Sequence, residues 1–392
     1  MATRAAYIFA EEELQYHFNA DHPFKQKRLM LTRDLLQALG SLPGERIVRP
    51  RAAKPDELLA IHTARYIEVV KALSAENPRP DWVDWAGKYG LDTEDTPFFP
   101  RMHQAASLIA GGSITAADLV MSGQAVHALH LGGGLHHAMP NRGSGFCVYN
   151  DAAIAIAYLR RNYGARVLYI DTDVHHGDGV QACFYSEPDV CTFSIHETGN
   201  YLFPGTGAAT ERGEGLGFGA CYNMPVEPFT EDESWLENFQ ACAEKITEVF
   251  KPDVIVSQHG CDAHYFDPLS HIHCSMRIYL EMPRLIHALA HRFCNGRWIA
   301  LGGGGYDIWR VVPRAWSLVW LVMAGHPLPE KLAEHPFTPL PQEWLKKWQP
   351  ESPVPLPRTW LDDKKAWEII PRQQEITAKN RRTKEIALNH IT

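Results

Sequence analysis

The sequence predicts an α/β protein: one large three-layer domain on a mostly parallel central sheet. Two observations carry this. Short apolar runs of strand length end in Gly, His or Asp, and amphipathic stretches of helix length lie between them. Such alternation is what a parallel sheet needs, because each strand must be followed by a crossover. At 392 residues the chain exceeds the usual ~100–200 residues of a domain, yet nothing before His326 reads as a linker. One enlarged domain over 1–325 is therefore expected, with a proline-rich extension over 326–392 packed on it or trailing from it.

The elements follow in chain order. Residues 5–10 are an apolar run that meets Glu11, Glu12 and Glu13 at once, too short for the apolar part of a signal peptide. Residues 76–100 mix Pro, Gly, Asp and aromatics without a period and are expected to form a long functional loop or lid. Strands are expected at 125–131, 166–171, 190–195, 253–258 and 297–301. Helices are expected at 151–163, where Ile154, Ile156, Ala157 and Leu159 recur at helical spacing, and at 235–250 and 279–293. Asn150 or Asp151 is placed to cap the first. Residues 315–325 are apolar but only about half of the ~20 needed to cross a bilayer, so they read as a buried helix. From His326 to Arg358 nine prolines interrupt every helix, predicting an extended wrap or a linker. Residues 373–392 are polar with spaced Ile and Leu, suiting a short surface helix or a partner contact.

Composition excludes several classes. Apolar residues at 45% and charged residues at 21% are ordinary for a globular protein. A net charge of -8, from 38 basic and 46 acidic residues, gives no global attraction to nucleic acid or anionic lipid. Eight scattered cysteines without a C-x-x-C pair suggest neither a zinc ribbon nor a disulfide framework, and a reducing, cytoplasmic setting is expected. The oligomeric state is left open. Twenty histidines invite a search for metal or acid–base chemistry.

Ligands of open α/β sheets bind beyond the carboxyl ends of strands. There the sequence concentrates Gly132-Gly133-Gly134-Leu135-His136-His137, then Asp171-Thr172-Asp173-Val174-His175-His176-Gly177-Asp178-Gly179, then Gln258-His259-Gly260-Cys261-Asp262, and finally Gly302 to Gly305 with Tyr306. In an extended chain Asp171, Asp173 and His175 share a face, a comb of metal ligands. Two carboxylates and one imidazole would leave positions open for water and substrate, as a catalytic zinc site does, with Asp262 the candidate third ligand beside Asp173 and His175. A buried hydrogen-bonded network or a helix cap is the alternative. His136 and His137 can activate water and protonate a leaving group, or form a satisfied loop pair. The four glycines lack the Lys and Ser/Thr of a P-loop, so Tyr306 is better read as a donor to a developing oxyanion.

This ordered set resembles the zinc-dependent histone deacetylase superfamily, with its arginase-like α/β fold, and most closely its bacterial acetoin-utilisation branch. The likeness runs from about His22 to about Gly325 and includes Gly145-Phe146, Phe203-Pro204-Gly205-Thr206-Gly207 and Tyr306-Asp307-Ile308-Trp309. It implies Asp173, His175 and Asp262 as ligands of Zn2+, or of Fe2+, which the same donors accept. It implies a catalytic pair, His136 on Asp171 and His137 on Asp178, with Tyr306 holding the acetyl oxygen. Gly145, Phe146 and Phe203 would wall a tunnel for the acetyl-lysine stem, with Asp95 and Leu269 at its rim and Arg28 in a product channel. A potassium ion would involve Asp171, Asp173 and Ser194. The implied reaction is hydrolysis of N6-acetyl-lysine on an acetylated protein or peptide, for which acetyl-CoA synthetase is the substrate the acetoin-utilisation likeness suggests. The alternatives are an amidohydrolase for acetylated polyamines or other small amines, and a non-catalytic acetyl-lysine-binding protein. His259 and His264 are extra imidazoles near the metal strand, read as core or rim residues rather than ligands.

Overall fold

The structure, a computed structural model, describes residues 5–389 and 391. Eight strands, β1 (Ala5–Ile8), β2 (Ile47–Val48), β3 (His127–His130), β4 (Val167–Asp171), β5 (Val190–Glu197), β6 (Cys221–Val226), β7 (Val254–Gln258) and β8 (Trp298–Leu301), form one sheet. Its order is β2-β1-β3-β8-β7-β4-β5-β6, and every pairing is parallel. Alternate residues enter opposite cores: Leu168 and Ile170 join one with Leu129 and Ile255, while Val167 and Tyr169 join the other with Val256 and Ile299. Burial on both faces is why these strands read as continuous apolar runs.

All five expected strands are present, and β1, β2 and β6 are additional. The run before Glu11 is β1; β2 has two residues; Asn223 and Pro225 break the pattern of β6, whose place at the sheet edge tolerates a proline. Helix Asp151–Tyr163 has the expected ends, and Asn150 caps it by accepting the Ala153 N–H at 2.9 Å. Helices Asp232–Phe250 and Met276–Phe293 start three residues before the expected positions, and Val312–Met323 is buried throughout. Helix Met102–Met121 was not expected. Rich in Ala and Gly and mostly buried, it shows little contrast between faces. Its length and composition would suit a membrane span, but 67% of its apolar window is buried inside the fold.

Two expectations are corrected. Residues 76–100 are not a structureless loop: they hold helix Pro80–Ala86, a 3-10 turn at Gly87–Tyr89 and an antiparallel bridge between Asp92 and Pro97. The prolines after His326 do not exclude helix, because Leu328–Glu334 and Gln342–Trp348 form with Pro329 in a first turn and Pro341 at an N-cap, where no helical N–H is lost. The segment packs closely. Trp344 Nε1 donates to the Leu31 carbonyl at 2.9 Å, and buried Arg314 pairs with Asp362 at 2.9 Å. Helix Gln373–Leu388 is anchored through buried Asn380, which accepts the Glu227 N–H just past β6 at 2.9 Å and donates to Thr230 and Ser234. Positions 390 and 392 of the expected tail helix, and positions 1–4, lie outside the described residues.

Candidate active site

Strands β3, β8, β7 and β4 are consecutive in the sheet, so four sequence-distant loops meet at its carboxyl edge. Although β4 and β7 are paired, the chain leaves β4 for β5 on one side and β7 for β8 on the other. Connections that diverge between neighbours open a crevice, the place where such sheets hold ligands.

The extended comb expected at 171–175 is corrected. The strand stops at Asp171, and carboxylates then capture N–H groups two residues on: Asp171 Oδ1 accepts from Asp173 at 3.1 Å, and Asp173 Oδ1 from His175 at 3.0 Å. The turn sends Asp173 and His175 toward Asp262 and leaves Asp171 facing His136. One donor atom from each of Asp173, His175 and Asp262 lies within 4.8 Å of the others, and all three residues are buried. His175 Nδ1 is 3.2 Å from Asp173 Oδ1 and 3.1 Å from Asp262 Oδ2. Asp173 Oδ2 also accepts the Gly304 N–H at 2.6 Å, so the glycine run serves a carboxylate. A Cβ on Gly304 would lie 2.0 Å from Asp262 Oδ2.

Burial opposes ionisation of both acids, yet His136 and His175 hold the Asp173 carboxyl well below its ordinary range. Burial and the charge of Asp173 push Asp262 up to about 6. Burial also opposes the His175 cation, but the two carboxylates raise this imidazole well above its ordinary value. Converging buried anions of this kind call for positive charge between them. Two carboxylates and one imidazole fit a divalent ion that keeps positions open.

The histidine pair stands beside this group. His136 Nδ1 donates to Asp171 Oδ2 at 2.8 Å, His137 Nδ1 donates to Asp178 Oδ1 at 2.7 Å, and the ring centroids are 4.0 Å apart. Burial penalises both cations, but Asp171 and Asp173 raise His136 to about 9. His137, buried beside His136, falls to about 4 despite Asp178. The two surroundings shift the imidazoles in opposite directions, a division suited to acid and base roles.

Tyr306 meets Phe146 edge-on at 5.6 Å, and its N–H donates to Asp267 Oδ2 at 2.8 Å. Burial, then Asp262 and Asp173, hold its hydroxyl protonated well above the ordinary range. Phe203 lies 5.0 Å from His137, with Gly145 fitted between: a Cβ at Gly145, whose φ is +50°, would be 2.5 Å from His137 and 3.0 Å from Phe203. Gly145 and Phe203 thus stand against His137, with Phe146 next in the chain and Tyr306 against Phe146. Asp95 is exposed; its carbonyl accepts from His22 Nε2 at 3.1 Å, and the His22 ring meets Phe146 at 4.7 Å. Leu269 is half-buried and shares Asp267 with Tyr306, donating its N–H at 3.0 Å. Arg28 is buried, donates to the Gly305 carbonyl at 3.2 Å, lies over Phe24 and Trp316, and has no ion-pair partner among the described residues. Ser194 is the register partner of Asp171, and its hydroxyl is 2.7 Å from His196 Nδ1.

Several supporting groups escaped the sequence reading. Asp151 accepts the N–H groups of Gly134 at 3.0 Å and Leu135 at 2.7 Å, fixing the loop that carries the histidine pair. The Tyr169 hydroxyl bonds Asp171 Oδ2 at 2.8 Å; its place two residues before Asp171, on the same strand face, was an available signal. Asp267 had none. His259 bonds Ser257 at 2.8 Å and burial lowers it to about 3, while His264 bonds Asp362 at 3.0 Å, so neither belongs to the three-residue group.

Comparison with known proteins agrees with this geometry. The family described as "Histone deacetylase domain" matches residues 22–323. "Acetoin utilization protein AcuC" of Bacillus subtilis (strain 168) is 53% identical over 387 residues, covering 99% of this chain and 97% of the relative. The protein of the same name from Staphylococcus xylosus is 47% identical over 384 residues, covering 97% and 96%. Among solved structures, an HDAC homologue complexed with SAHA is similar with a TM-score of 0.81 at 28% identity, and an HDAC homologue from Aquifex aeolicus with 0.80 at 26%; each likeness covers 97% of this chain and 100% of the other. The matched interval contains the crevice and every group that converges on it, and the relatives align almost end to end: the chain belongs to the histone deacetylase family.

Proposed function

We propose that this deacetylase-family hydrolase is a metal-dependent protein lysine deacetylase, converting N6-acetyl-lysine to lysine and acetate. The observation that carries the reading is the juxtaposition of two histidines, each on its own carboxylate, with the Asp173, His175 and Asp262 donor set. Those three residues would hold Zn2+, or Fe2+ by the same donor chemistry. When bound, the ion supplies Lewis-acid polarisation of the acetyl carbonyl and lowers the pKa of water in the site.

The chain's own groups do the rest. His137, unprotonated at Nε2 while Nδ1 donates to Asp178, accepts the proton of the attacking water. His136, whose protonated form the hydrogen bond to Asp171 favours, returns a proton to the departing amine. The Tyr306 hydroxyl donates to the acetyl oxygen as negative charge grows there. Phe146 and Phe203 flank the methylene stem, and an acetylated lysine enters such a wall without desolvating an ammonium group. Asp95 and Leu269 lie at the rim, and the Arg28 guanidinium, without an ion-pair partner among the described residues, draws acetate inward. Potassium at Asp171, Asp173 and Ser194 belongs to the same reading.

The name of the relatives, taken to this chain as part of the proposal, favours a cytoplasmic acetylated enzyme of acetate metabolism such as acetyl-CoA synthetase. The test compares acetyl-lysine peptides with free N-acetylated diamines. Higher kcat/KM on peptides is expected; preference for the diamines would replace the proposal with a small-amine amidohydrolase.

A further inference from the structure

The amino edge of the sheet, opposite the catalytic crevice, carries a second imidazole cluster. His127 is the first residue of β3 and is fully buried. His287 and His291 lie four residues apart on helix Met276–Phe293, which puts both rings on one helix face. That face meets β3. Ring centroids are 4.9 Å apart for His127 and His287, 5.2 Å for His127 and His291, and 4.4 Å for His287 and His291.

One ring nitrogen from each lies within 4.8 Å of the other two. His127 Nε2 and His291 Nε2 are 3.3 Å apart. With metal–nitrogen bonds of about 2.0–2.1 Å, two donors of a tetrahedral site stand about 3.3 Å from each other, so this pair already has ligand spacing. A single N–H can bridge that pair, but it does not account for a third ring converging on the same point. Trp298 walls the inner side, at 5.8 Å from His127 and 6.0 Å from His287. On the outer side His291 is exposed and His287 half-buried, leaving a route from solvent.

We propose that His127, His287 and His291 form a second metal site, taking a borderline divalent transition ion such as Zn2+, Ni2+ or Co2+ through three neutral imidazoles. Three nitrogen donors without a carboxylate suit these ions and not Mg2+ or Ca2+, which seek oxygen. The ion would pin the helix to the amino edge of β3. Its effect falls on stability, because the reacting groups lie beyond the other end of the strands.

The test uses the full chain, stripped with chelator and dialysed against Zn2+ alone, beside the variant His287→Gln/His291→Gln. Elemental analysis is expected to find one more equivalent of zinc in the wild type than in the variant. Zinc should also raise the wild-type Tm more, with acetate release the same in both. Equal zinc in the two chains, the variant being folded by circular dichroism, would overturn the site. Should the double variant not fold, the single His291→Gln change at an exposed ring gives the same reading: loss of the extra equivalent supports the site, and its retention refutes it. Both chains keep Asp173, His175 and Asp262, so the difference stands whatever those residues hold.

Discussion

Asn150 donates its side-chain amide to the backbone carbonyl of His136 at 3.1 Å, and to that of Ala138 at 3.0 Å. Its Oδ1 meanwhile caps helix Asp151–Tyr163. One buried side chain therefore ties a helix start to the loop that presents the histidine pair. Asn150→Ala is expected to lower kcat by roughly 10²-fold through misplacement of His136, with KM little changed. Stability should fall by about 1–3 kcal/mol, because two buried carbonyls lose their donor. Steady-state kinetics and urea unfolding check the two effects separately.

Gly304 is the close-approach position of the proposed metal-ligand group. A Cβ there would lie 2.0 Å from Asp262 Oδ2 and 2.9 Å from Asp173 Oδ2, so Gly304→Ala must displace both carboxylates. Metal affinity is expected to fall by about 10–100-fold, with acetate release falling alongside it. Competition with a chromophoric chelator measures the first. Unchanged affinity would mean that these carboxylates do not set metal binding.

His62 predicts a pH dependence of stability. Its Nδ1 donates to the Met139 carbonyl at 3.1 Å and its Nε2 accepts the Asn150 N–H at 3.0 Å, which fixes the neutral ring. Burial lowers its pKa from 6.5 to about 4. Between those values the unfolded chain binds the extra proton, so this contribution is complete above pH 6.5 and is lost as pH falls toward 4. Its full size is about 3 kcal/mol. In His62→Gln the slope of unfolding free energy against pH, measured between pH 6.5 and 5, should be shallower by up to about 1.4 kcal/mol per pH unit.

Arg314 and Asp362 join the C-terminal segment to the domain. Arg314 is 1% exposed, pairs with Asp362 at 2.9 Å and also donates to the Trp360 carbonyl at 3.1 Å. Burial would raise the Asp362 carboxyl, but Arg314 and His264 hold it well below its ordinary range. Asp362→Ala strands a buried cation and is expected to cost about 3–5 kcal/mol. Because Asp362 Oδ2 also accepts the Met276 N–H at 2.8 Å and bonds His264 at 3.0 Å, adding Arg314→Met to Asp362→Ala should recover only part of that loss in urea unfolding. A double variant no more stable than Asp362→Ala would show that the pair is more than a matched charge.

How much was legible in the sequence follows from what each element must bury. β4 and β7 are buried on both faces, so their apolar runs stood out, and the acids and histidines after them marked the crevice. β6 was hidden by Asn223 and Pro225 at an edge, and helix Met102–Met121 by burial on nearly every side. Asp173, His175 and Asp262 were named from residue type and from likeness, but strand geometry alone misplaced Asp171. Its local turn depends on hydrogen bonds between side chain and backbone, which a period of two does not encode. Asp267 was invisible for another reason: its bond to the Tyr306 N–H joins two loops that meet only in the fold.

The central claim is that the Asp173, His175 and Asp262 group, the histidine pair and Tyr306 act together on an acetylated lysine. Acetate release from an acetyl-lysine peptide by zinc-loaded protein tests it most directly, run beside Asp173→Ala and Tyr306→Phe, with zinc content measured in each sample. The wild type is expected to release acetate, Asp173→Ala to lose both zinc and activity, and Tyr306→Phe to keep its zinc but lose at least about 10²-fold in kcat. No acetate from the zinc-loaded wild type, or equal rates in all three proteins, would contradict the account.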